Sequence, residues 1–366
     1  MRKLSATDAA FLYSETEHTP NTIAAVQILE LPENMDADAF LEQLSEHYSD
    51  RMHLLPYLYS KVRFAPGNID HPVWVTDPDF SIDNHVYIEE LPAPGSMLEL
   101  ENRVAEIHAE ILDRNKPLWR LVIFKGLKNP RQIAYYSASH HACLDGIAGT
   151  AATEIMMDDV PELVKIAAPE KFPPEDHDTA AELWRLSVEN LIKSQISMPL
   201  RILDMAEALE HLAERTLRPE RHFGAYAQRA PRTRFNHAID TPRTFSMGDF
   251  KLAEVKAMKA AAGCSLNDII LAVCAGGLRR YLQRTNELPN TPLIAGVPVS
   301  LRPTGSQEMN NQVTMMSVSL ATDIEDPWLR LCTIRDSEGD GKEVVADLLS
   351  YDSNISLPGL QIGRAH

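Results

Sequence analysis

Residues 140–146 read HHACLDG, a stretch that joins two adjacent histidines to Asp145 and Gly146. Neighbouring residues at the end of a strand point to opposite faces, so only one of the two histidines can face a given pocket. A histidine titrates near neutrality and can accept a proton from a hydroxyl group. The aspartate can fix the geometry of a strand-to-helix turn, and the glycine permits a close approach or an unusual backbone angle there. The whole pattern predicts a proton-transfer site in preference to two histidines that only fill a core.

The segments on either side of this stretch predict strands and helices in mixed order. Two apolar runs at residues 119–124 and 133–139, separated by the polar turn KNPR, predict a hairpin that leads into His140. A helix is predicted directly after the stretch, at residues 146–157. Upstream, the patterns predict a strand at 22–31, a helix at 36–48, and a helix capped by Ser96 whose core stripe is Leu100, Val104, Ile107 and Ile111. We therefore expect an α+β fold and not a doubly wound sheet.

The downstream segments predict a linker and a second lobe. Residues 160–178 are rich in proline and charge, which is typical of a linker, and Thr179 and Glu182 then form a capping box. We interpret the following helical stretch as packed between two lobes, in preference to a lipid-facing surface; its apolar face is formed by Ile202, Met205, Leu209 and Leu212. The second lobe begins near Phe235 and contains one helix ended by Gly263, another capped by Ser265, and strands at 293–299 and 313–320.

Length, net charge and cysteine spacing indicate which classes of protein this sequence fits. A chain of 366 residues exceeds one ordinary core, so two lobes are expected. The formal net charge of -17 repels phosphate backbones and disfavours nucleic-acid binding. The four cysteines form no C-x-x-C pair, which predicts a reducing compartment, and no His/Cys/Asp cluster has zinc spacing, so no metal is expected. Without an apolar signal region or a run of about 18 apolar residues, we expect a cytoplasmic protein that is at most peripheral to the inner membrane or lipid bodies.

Five segments carry a resemblance to a known family. The HHACLDG stretch resembles the active-site motif of the chloramphenicol-acetyltransferase-like superfamily and, within it, of the bacterial wax ester synthase/diacylglycerol acyltransferase family. Four further segments are similar to motifs of that family: LSATDAAF (4–11), PLW (117–119), ND (267–268) and VPVSLR (297–302). Because these segments are distributed from the N-terminus to the second lobe, the resemblance covers most of the chain.

The resemblance implies a fold and a domain organisation. It implies two chloramphenicol-acetyltransferase-like α/β sandwich lobes with a tunnel between them, the second lobe being incomplete. The N-terminal acyltransferase lobe would comprise residues 1–165, a linker with connecting helices residues 166–234, and the C-terminal lobe residues 235–361. The chain stops before the family's last strands, and its final IGRAH matches the translation of a common sequencing adapter. We therefore interpret residues 362–366 as an artefactual tail on a truncated reading frame.

The resemblance also implies a reaction. A fatty acyl group would pass from acyl-CoA, a co-substrate and not a resident cofactor, to diacylglycerol or a long-chain alcohol, with His141 as general base. His140, Asp145 and Gly146 would complete the catalytic motif, with Arg51 as a candidate ion-pair partner of the aspartate. Substrate contacts would come from Trp119, Asn267 and Asp268, with the asparagine as a candidate oxyanion donor. Structural roles account for these last three residues at least as well: Trp119 as a packing anchor, and Asn267 and Asp268 in a capping box.

The chain departs from the family at one strand, and two other functions remain open. The family's Gly-Asn-x-x-Ser segment reads NNQVT at residues 310–314, so the expected turn lacks its glycine. One alternative is a condensation-type or polyketide-associated acyltransferase that uses a carrier-protein thioester; the PLW and N-terminal segments argue against it. The other is a non-catalytic lipid-binding fragment, against which the intact His141 and Asp145 argue. A Cys143 nucleophile is disfavoured because only His141 could activate it.

Overall fold

The computed structural model describes residues 1–158, 179–216, 228–301 and 313–350, together with Asn311 and a few other single positions. The chain divides into two units. The first comprises Met1–Gln195, Ile239–Met247 and Gln307–Asn311, and the second comprises Ile196–Ala238, Gly248–Ser306 and Gln312–His366. Because two short downstream segments join the first unit, this division differs from the domain boundaries expected from the sequence, which remain predictions. The expected tail and most of the expected linker lie outside the described residues.

The first unit contains a four-stranded and a three-stranded sheet with helices around them. Its elements are, in chain order, β1 (Arg2–Lys3), α1 (Ala6–Ser14), β2 (Thr22–Glu30), α2 (Ala37–Arg51), β3 (Ser60–Arg63), β4 (Val73–Thr76), β5 (Val86–Glu90), α3 (Met97–His108), β6 (Trp119–Lys125), β7 (Gln132–His140) and α4 (Gly146–Met156). The main sheet has the order β2-β7-β6-β5, and the smaller one the order β1-β4-β3. β7 is antiparallel to β2 and to β6, so the predicted hairpin is confirmed, whereas β5 is parallel to β6.

The two central strands of the main sheet, β6 and β7, are buried on both faces, as their alternating side chains show. Leu121, Ile123, Ile133 and Tyr135 belong to one core cluster together with residues of α1, α2 and α4. The intervening residues of the same strands, among them Val122 and Tyr136, belong to a second cluster with three residues of α3. Burying one such aliphatic side chain stabilises a fold by about 1.5–3 kcal/mol, so helices on both faces hold the sheet. The expectation of a mixed α+β architecture is confirmed.

Helix α3 begins as predicted but ends earlier. The Ser96 hydroxyl accepts the Leu98 N–H at 3.3 Å, and the Glu99 carboxylate accepts the Ser96 N–H at 2.7 Å, which completes a capping box. The predicted stripe is wrong at Ile111, which lies beyond the helix and is 39 % exposed. The helix stops at His108, and Leu112 takes the buried position in the chain that follows.

In its described residues, the second unit contains a two-stranded sheet and three helices besides the end of the long helix described below. Its elements are α6 (Leu252–Ala262), α7 (Leu266–Arg284), β8 (Ile294–Ser300), β9 (Val313–Ser319) and α8 (Pro327–Ser350). The strands pair antiparallel, and their buried side chains pack with those of α7 and α8. Gly263 ends α6 at a φ of 58°, in the left-handed region that glycine tolerates, as the sequence predicts. Ser265 caps α7 as predicted.

One long helix, α5 (Ala180–Thr216), passes from the first unit into the second. Its first turn is capped as expected, because the Glu182 N–H donates to the Thr179 hydroxyl at 3.2 Å. The apolar face predicted at residues 202–212 falls on side chains outside those described. Among the helices of the described ranges, none alone is long and apolar enough to cross a bilayer. Helices α6 and α7 reach that length and composition only as a pair bent by 102°.

Candidate active site

The two histidines lie where β7 ends, and backbone hydrogen bonds hold them from both sides. The His140 N–H donates to the Leu118 carbonyl, just before β6, at 2.9 Å. The His141 N–H donates to the Asn21 carbonyl, just before β2, at 2.7 Å. The sheet pairing therefore continues past the strand ends on each side, and the main chain that carries the imidazoles is fixed by its neighbours.

Asp145 begins the helix that follows. Its backbone is extended, its side chain is buried, and its Oδ1 accepts the Ala148 N–H at 2.8 Å as the N-cap of α4. This geometry agrees with the expected role of orienting the turn. The expected ion pair with Arg51 is wrong, because the Arg51 guanidinium donates to Asp158 Oδ1 at 2.6 Å and to the Val164 carbonyl.

The unusual backbone angle expected at Gly146 is not found. Gly146 is exposed at the first position of α4, and its φ lies outside the left-handed region. A Cβ atom added there would meet no heavy atom of the described chain within 4 Å. The turn is closed by the cap of Asp145, so no unusual backbone angle requires a glycine at this position. A close approach of substrate to Gly146 remains a prediction.

We expect Gly146→Ala to preserve or slightly raise stability, because alanine in a helix is favoured over glycine by about 0.5–1 kcal/mol. Thermal unfolding measures this, with Gly263→Ala as a control that should be destabilised at its φ of 58°. A loss of acyl transfer by Gly146→Ala at unchanged stability would then indicate that a substrate occupies the open space beside residue 146. A melting temperature below that of the wild type would contradict the expectation.

The His140 imidazole is fully buried, and both of its nitrogens face protein groups. Its Nδ1 accepts the Ala142 N–H at 3.0 Å. Its Nε2 lies 3.3 Å from Glu15 Oε1, without the geometry of a full hydrogen bond. Burial alone would raise the pKa of Glu15, but His140, Arg114 and the Asn21 backbone N–H outweigh it and lower that pKa to about 2. The carboxylate beside His140 is therefore ionised near neutrality.

His141 differs from its neighbour. Its ring is half-buried and stacks on Phe11, with centroids 4.0 Å apart and an angle of 6° between the planes. Within the described residues its buried Nδ1 has no hydrogen-bond partner. Its carbonyl oxygen accepts the Asn311 amide at 2.8 Å. Stacking and backbone contacts thus fix the ring without engaging Nδ1.

Asn311 connects this histidine to the first helix of the chain. Its Nδ2 and its backbone N–H both donate to Asp8 Oδ1, at 2.7 and 3.1 Å. The other oxygen of Asp8 accepts the Ser5 N–H at 3.3 Å in the capping box of α1. Asp8 and Asn311 are both buried, so the polar groups of this link are removed from water.

Sequence reasoning missed these supporting residues. Asp8 lies inside the LSATDAAF segment but was not expected at the site, and Phe11 and Glu15 were not singled out. The usable signal is their spacing of three and four residues, which places all three on one side of a helix. Asn311 lies in the NNQVT segment compared above with the family's Gly-Asn-x-x-Ser motif, but its interaction with Asp8 spans 303 positions and was not expected.

Trp119 and Cys143 are enclosed by the first unit. The Trp119 indole N–H donates to the Leu58 carbonyl at 2.7 Å, and its ring stacks on His85 with centroids 4.5 Å apart. These contacts are those of a packing anchor, while a substrate contact by Trp119 remains a prediction. Burial raises the pKa of the Cys143 thiol, which lies 3.8 Å from the Leu118 carbonyl. A buried thiol held in its neutral form is a poor nucleophile, as expected for this cysteine.

Asn267 and Asp268 belong to the second unit, on the first turn of α7. Asp268 is buried, accepts the Ser265 N–H at 2.7 Å and donates its own N–H to the Ser265 hydroxyl at 3.0 Å. Burial alone would raise the pKa of Asp268, but hydrogen bonds from Glu338 and Ser265 outweigh it and lower that pKa. Asp268 thus completes a capping box and also interacts with Glu338, and Asn267 is half-buried beside it. Their contact with substrate remains a prediction.

Across the described residues, no group of three or more His, Cys, Asp or Glu side chains could hold a metal ion.

The family model of the wax ester synthase/diacylglycerol acyltransferase catalytic domain matches residues 4–270 of the amino-acid sequence. The chain belongs to this family. Its match begins in the segment before α1 and includes the HHACLDG stretch, PLW and ND. The wax ester synthase/diacylglycerol acyltransferase family is thus the one that the motifs indicated, and the chain is an acyltransferase.

Relatives and solved structures agree with this membership. A protein of Mycobacterium tuberculosis named as a probable diacylglycerol O-acyltransferase is 30% identical over 342 residues, which cover 93% of this chain and 74% of that protein. Another, named for the same activity, is 33% identical over 348 residues, covering 94% and 75%. The wax ester synthase/diacylglycerol acyltransferase of Marinobacter aquaeolei VT8 matches in structure with a TM-score of 0.66 at 24% identity, covering 96% of this chain and 75% of that one.

A more distant structure shares the fold. The first condensation domain of the calcium-dependent antibiotic synthetase matches with a TM-score of 0.56 at 14% identity, covering 96% of this chain and 75% of that chain. At such identity the likeness concerns the fold alone. The expected chloramphenicol-acetyltransferase-like fold of this family member is confirmed, and a tunnel between its lobes remains an expectation.

Proposed function

We propose that this acyltransferase moves a fatty acyl group from acyl-CoA to the hydroxyl of diacylglycerol or a long-chain alcohol, with His141 as general base. The products would be triacylglycerol or a wax ester. The observation that supports the assignment is the contrast between the two imidazoles. The His140 ring is fully buried and its Nδ1 is occupied, whereas the His141 ring is fixed by Phe11 and only half-buried. Since Nδ1 of His141 is buried, Nε2 is the nitrogen left to meet a substrate.

The chemistry needs one base and two substrates held together. His141 Nε2 takes the hydroxyl proton while the hydroxyl oxygen bonds to the thioester carbon. The resulting tetrahedral intermediate collapses, the carbon–sulfur bond breaks, and the imidazolium returns the proton to the coenzyme A thiolate. Holding both substrates at the same base supplies the proximity that an acyl-enzyme would otherwise provide. Asn267 is proposed as a donor to the oxyanion.

The remaining motif residues would support this base. Asp145 caps α4 and thereby fixes the turn that follows His141. The acyl-CoA acts as co-substrate, and no resident cofactor or metal is part of the proposal. Because both classes of acceptor are lipids, the enzyme is proposed to work in the cytoplasm, peripheral to the inner membrane or to lipid bodies.

The test is transfer of a labelled acyl group from acyl-CoA to diacylglycerol and to a long-chain alcohol, measured side by side. Formation of labelled triacylglycerol or wax ester by the wild type supports the proposal and identifies the acceptor. Acyl transfer from a carrier-protein thioester but not from acyl-CoA would favour the condensation-type alternative. Binding of acyl-CoA without any transfer would favour a lipid-binding fragment.

Direct attack predicts a ternary complex and no acyl-enzyme. Two-substrate kinetics should give intersecting and not parallel lines in double-reciprocal plots. Cys143→Ala should keep most of the activity of the folded protein, because burial holds that thiol neutral. Cys274→Ala, at an exposed cysteine of α7, is the matched control. Mass spectrometry that finds an acyl group on Cys143 after incubation with acyl-CoA alone would contradict this prediction.

A further inference from the structure

Glu15, the C-cap residue of α1, has a buried carboxylate, and both of its oxygens accept hydrogen bonds. Its side chain is 2 % exposed. Its Oε2 accepts Arg114 Nη2 at 2.9 Å and Nε at 3.3 Å, and its Oε1 accepts the Asn21 N–H at 3.1 Å. His140 Nε2 lies 3.3 Å from the same Oε1. A carboxylate that only accepts is therefore surrounded by nitrogen atoms.

The contacts of His140 define where its proton lies. A backbone N–H can only donate, so Nδ1 must offer a lone pair to the Ala142 N–H that points at it. In the neutral imidazole the hydrogen then sits on Nε2, which faces the Glu15 carboxylate. The opposite tautomer would set two N–H groups against each other and a lone pair against an anion. Glu15 and Ala142 thus favour one tautomer from opposite ends of the ring.

Glu15 also reaches the second histidine through one residue. The Asn21 N–H donates to Glu15, and the Asn21 carbonyl accepts the His141 N–H at 2.7 Å. The side chain of Asn21 donates to the Phe11 carbonyl at 2.6 Å, and the Phe11 ring stacks on His141. A single buried carboxylate is therefore in contact with His140 and one residue away from the backbone of His141.

We propose that Glu15 is a positioning residue for acyl transfer, which holds His140 as the neutral Nε2–H tautomer and thereby reserves the role of base for His141. This inference rests on the proposed function, because it explains why only one of two adjacent imidazoles takes the hydroxyl proton. With Nδ1 occupied and Nε2 protonated, His140 has no lone pair left to accept a proton. Glutamine cannot replace Glu15. In one orientation its NH2 group would face the N–H groups of Arg114, and in the other it would face those of Asn21 and His140, so donors would oppose donors in both.

The first test uses the wild-type chain and needs no substrate. Nitrogen NMR of protein labelled in its histidines distinguishes the two neutral tautomers and the imidazolium, and His140→Asn identifies the signal of His140. We expect the Nε2–H tautomer at His140 near neutral pH. An Nδ1–H tautomer or an imidazolium at this position overturns the proposal.

The second test compares Glu15→Gln with Glu17→Gln. Glu17 lies two residues away, its side chain is 82 % exposed and it pairs with the exposed His18, so it is a matched control for the loss of a charge. We expect Glu15→Gln to lower kcat by about tenfold to hundredfold, the range found when a metal-bound histidine loses the hydrogen-bond partner that orients it. KM for acyl-CoA should stay within about twofold, since no substrate contact is removed. Glu17→Gln should match the wild type.

The readouts separate positioning from folding. Rates are expressed per folded protein, and the His140 signal of Glu15→Gln should lose the pure Nε2–H pattern. In the double variant Glu15→Gln/His140→Asn the losses should not multiply, because Glu15 acts through His140. Glu15→Gln with wild-type kcat and an unchanged His140 signal overturns the proposal. If Glu15→Gln does not fold, the tautomer of His140 measured in the wild type tests the proposal by itself.

A wild type that transfers no acyl group refutes the proposed function. The measured tautomer of His140 then still tests whether Glu15 fixes the position of its proton.

Discussion

His141→Ala is expected to lower kcat for acyl transfer by about 10²–10⁴-fold, the contribution of a positioned general base. The ring is held in place by Phe11 and by backbone bonds to Asn21 and from Asn311, so removing it deletes the base without deleting the contacts of the main chain. The protein should therefore fold normally. Initial rates with saturating acyl-CoA and acceptor, together with the thermal midpoint of unfolding, measure both effects.

His140→Ala provides the comparison for this prediction. Because His140 is fully buried between Ala142 and Glu15, its loss should lower stability more and kcat per folded molecule less than the loss of His141. Circular dichroism at the assay temperature establishes the folded fraction of each variant. Equal losses of kcat for the two variants at equal folded fraction would contradict the assignment of a single base.

Asp8→Ala is expected to destabilise the protein by about 2–6 kcal/mol, because two buried N–H donors of Asn311 lose their common acceptor at about 1–3 kcal/mol each. The same substitution should lower kcat, since the Asn311 amide that is held by Asp8 also holds the His141 carbonyl. Denaturant unfolding and the acyl-transfer assay measure the two effects. Asn311→Ala keeps the backbone N–H to Asp8, so it should reproduce the loss of kcat and a smaller part of the destabilisation.

The control is Asp36→Ala. Asp36 also accepts a backbone N–H as a helix cap, from Ala39 at 2.8 Å, but it is exposed and touches neither histidine. Its loss should cost about 0.5–2 kcal/mol, the usual value of an N-cap, and leave kcat unchanged. If Asp8→Ala has no more effect than Asp36→Ala on stability and on kcat, the link through Asn311 does not position His141.

The local parts of the fold could be predicted from the sequence. The hairpin that ends at His140 follows from two apolar runs around a polar turn, and the caps at Ser96 and Ser265 follow from their spacing to an acidic residue. Each of these signals depends on interactions between residues a few positions apart. Ile111 shows where such prediction fails. The apolar spacing of the helix continues to Ile111 in the sequence, but the helix itself ends at His108.

The supporting residues of the site could not be predicted in the same way. The histidines could be singled out by their chemistry, because two adjacent imidazoles followed by Asp145 and a glycine seldom occur together by chance. Glu15 is one of 52 acidic residues, and nothing local distinguishes it from Glu17, which is exposed. Its importance arises only when the sheet brings His140 and Arg114 to it from more than ninety positions away. Gly146 is the opposite case. It belongs to the motif, yet a Cβ atom at this position would meet no described protein atom within 4 Å.

The separation of 303 positions between Asp8 and Asn311 also bears on the order of folding. At a synthesis rate of about 5–20 residues per second, the first helix would be made roughly 15–60 seconds before its asparagine partner. Closing so long a loop costs entropy before the contact returns any stabilisation, so this link should be among the last to form. The histidine pair could occupy its place in the sheet earlier, but the base would be held on all sides only after the downstream segment docks. Enzymatic activity would then report completion of the fold more strictly than the content of secondary structure does.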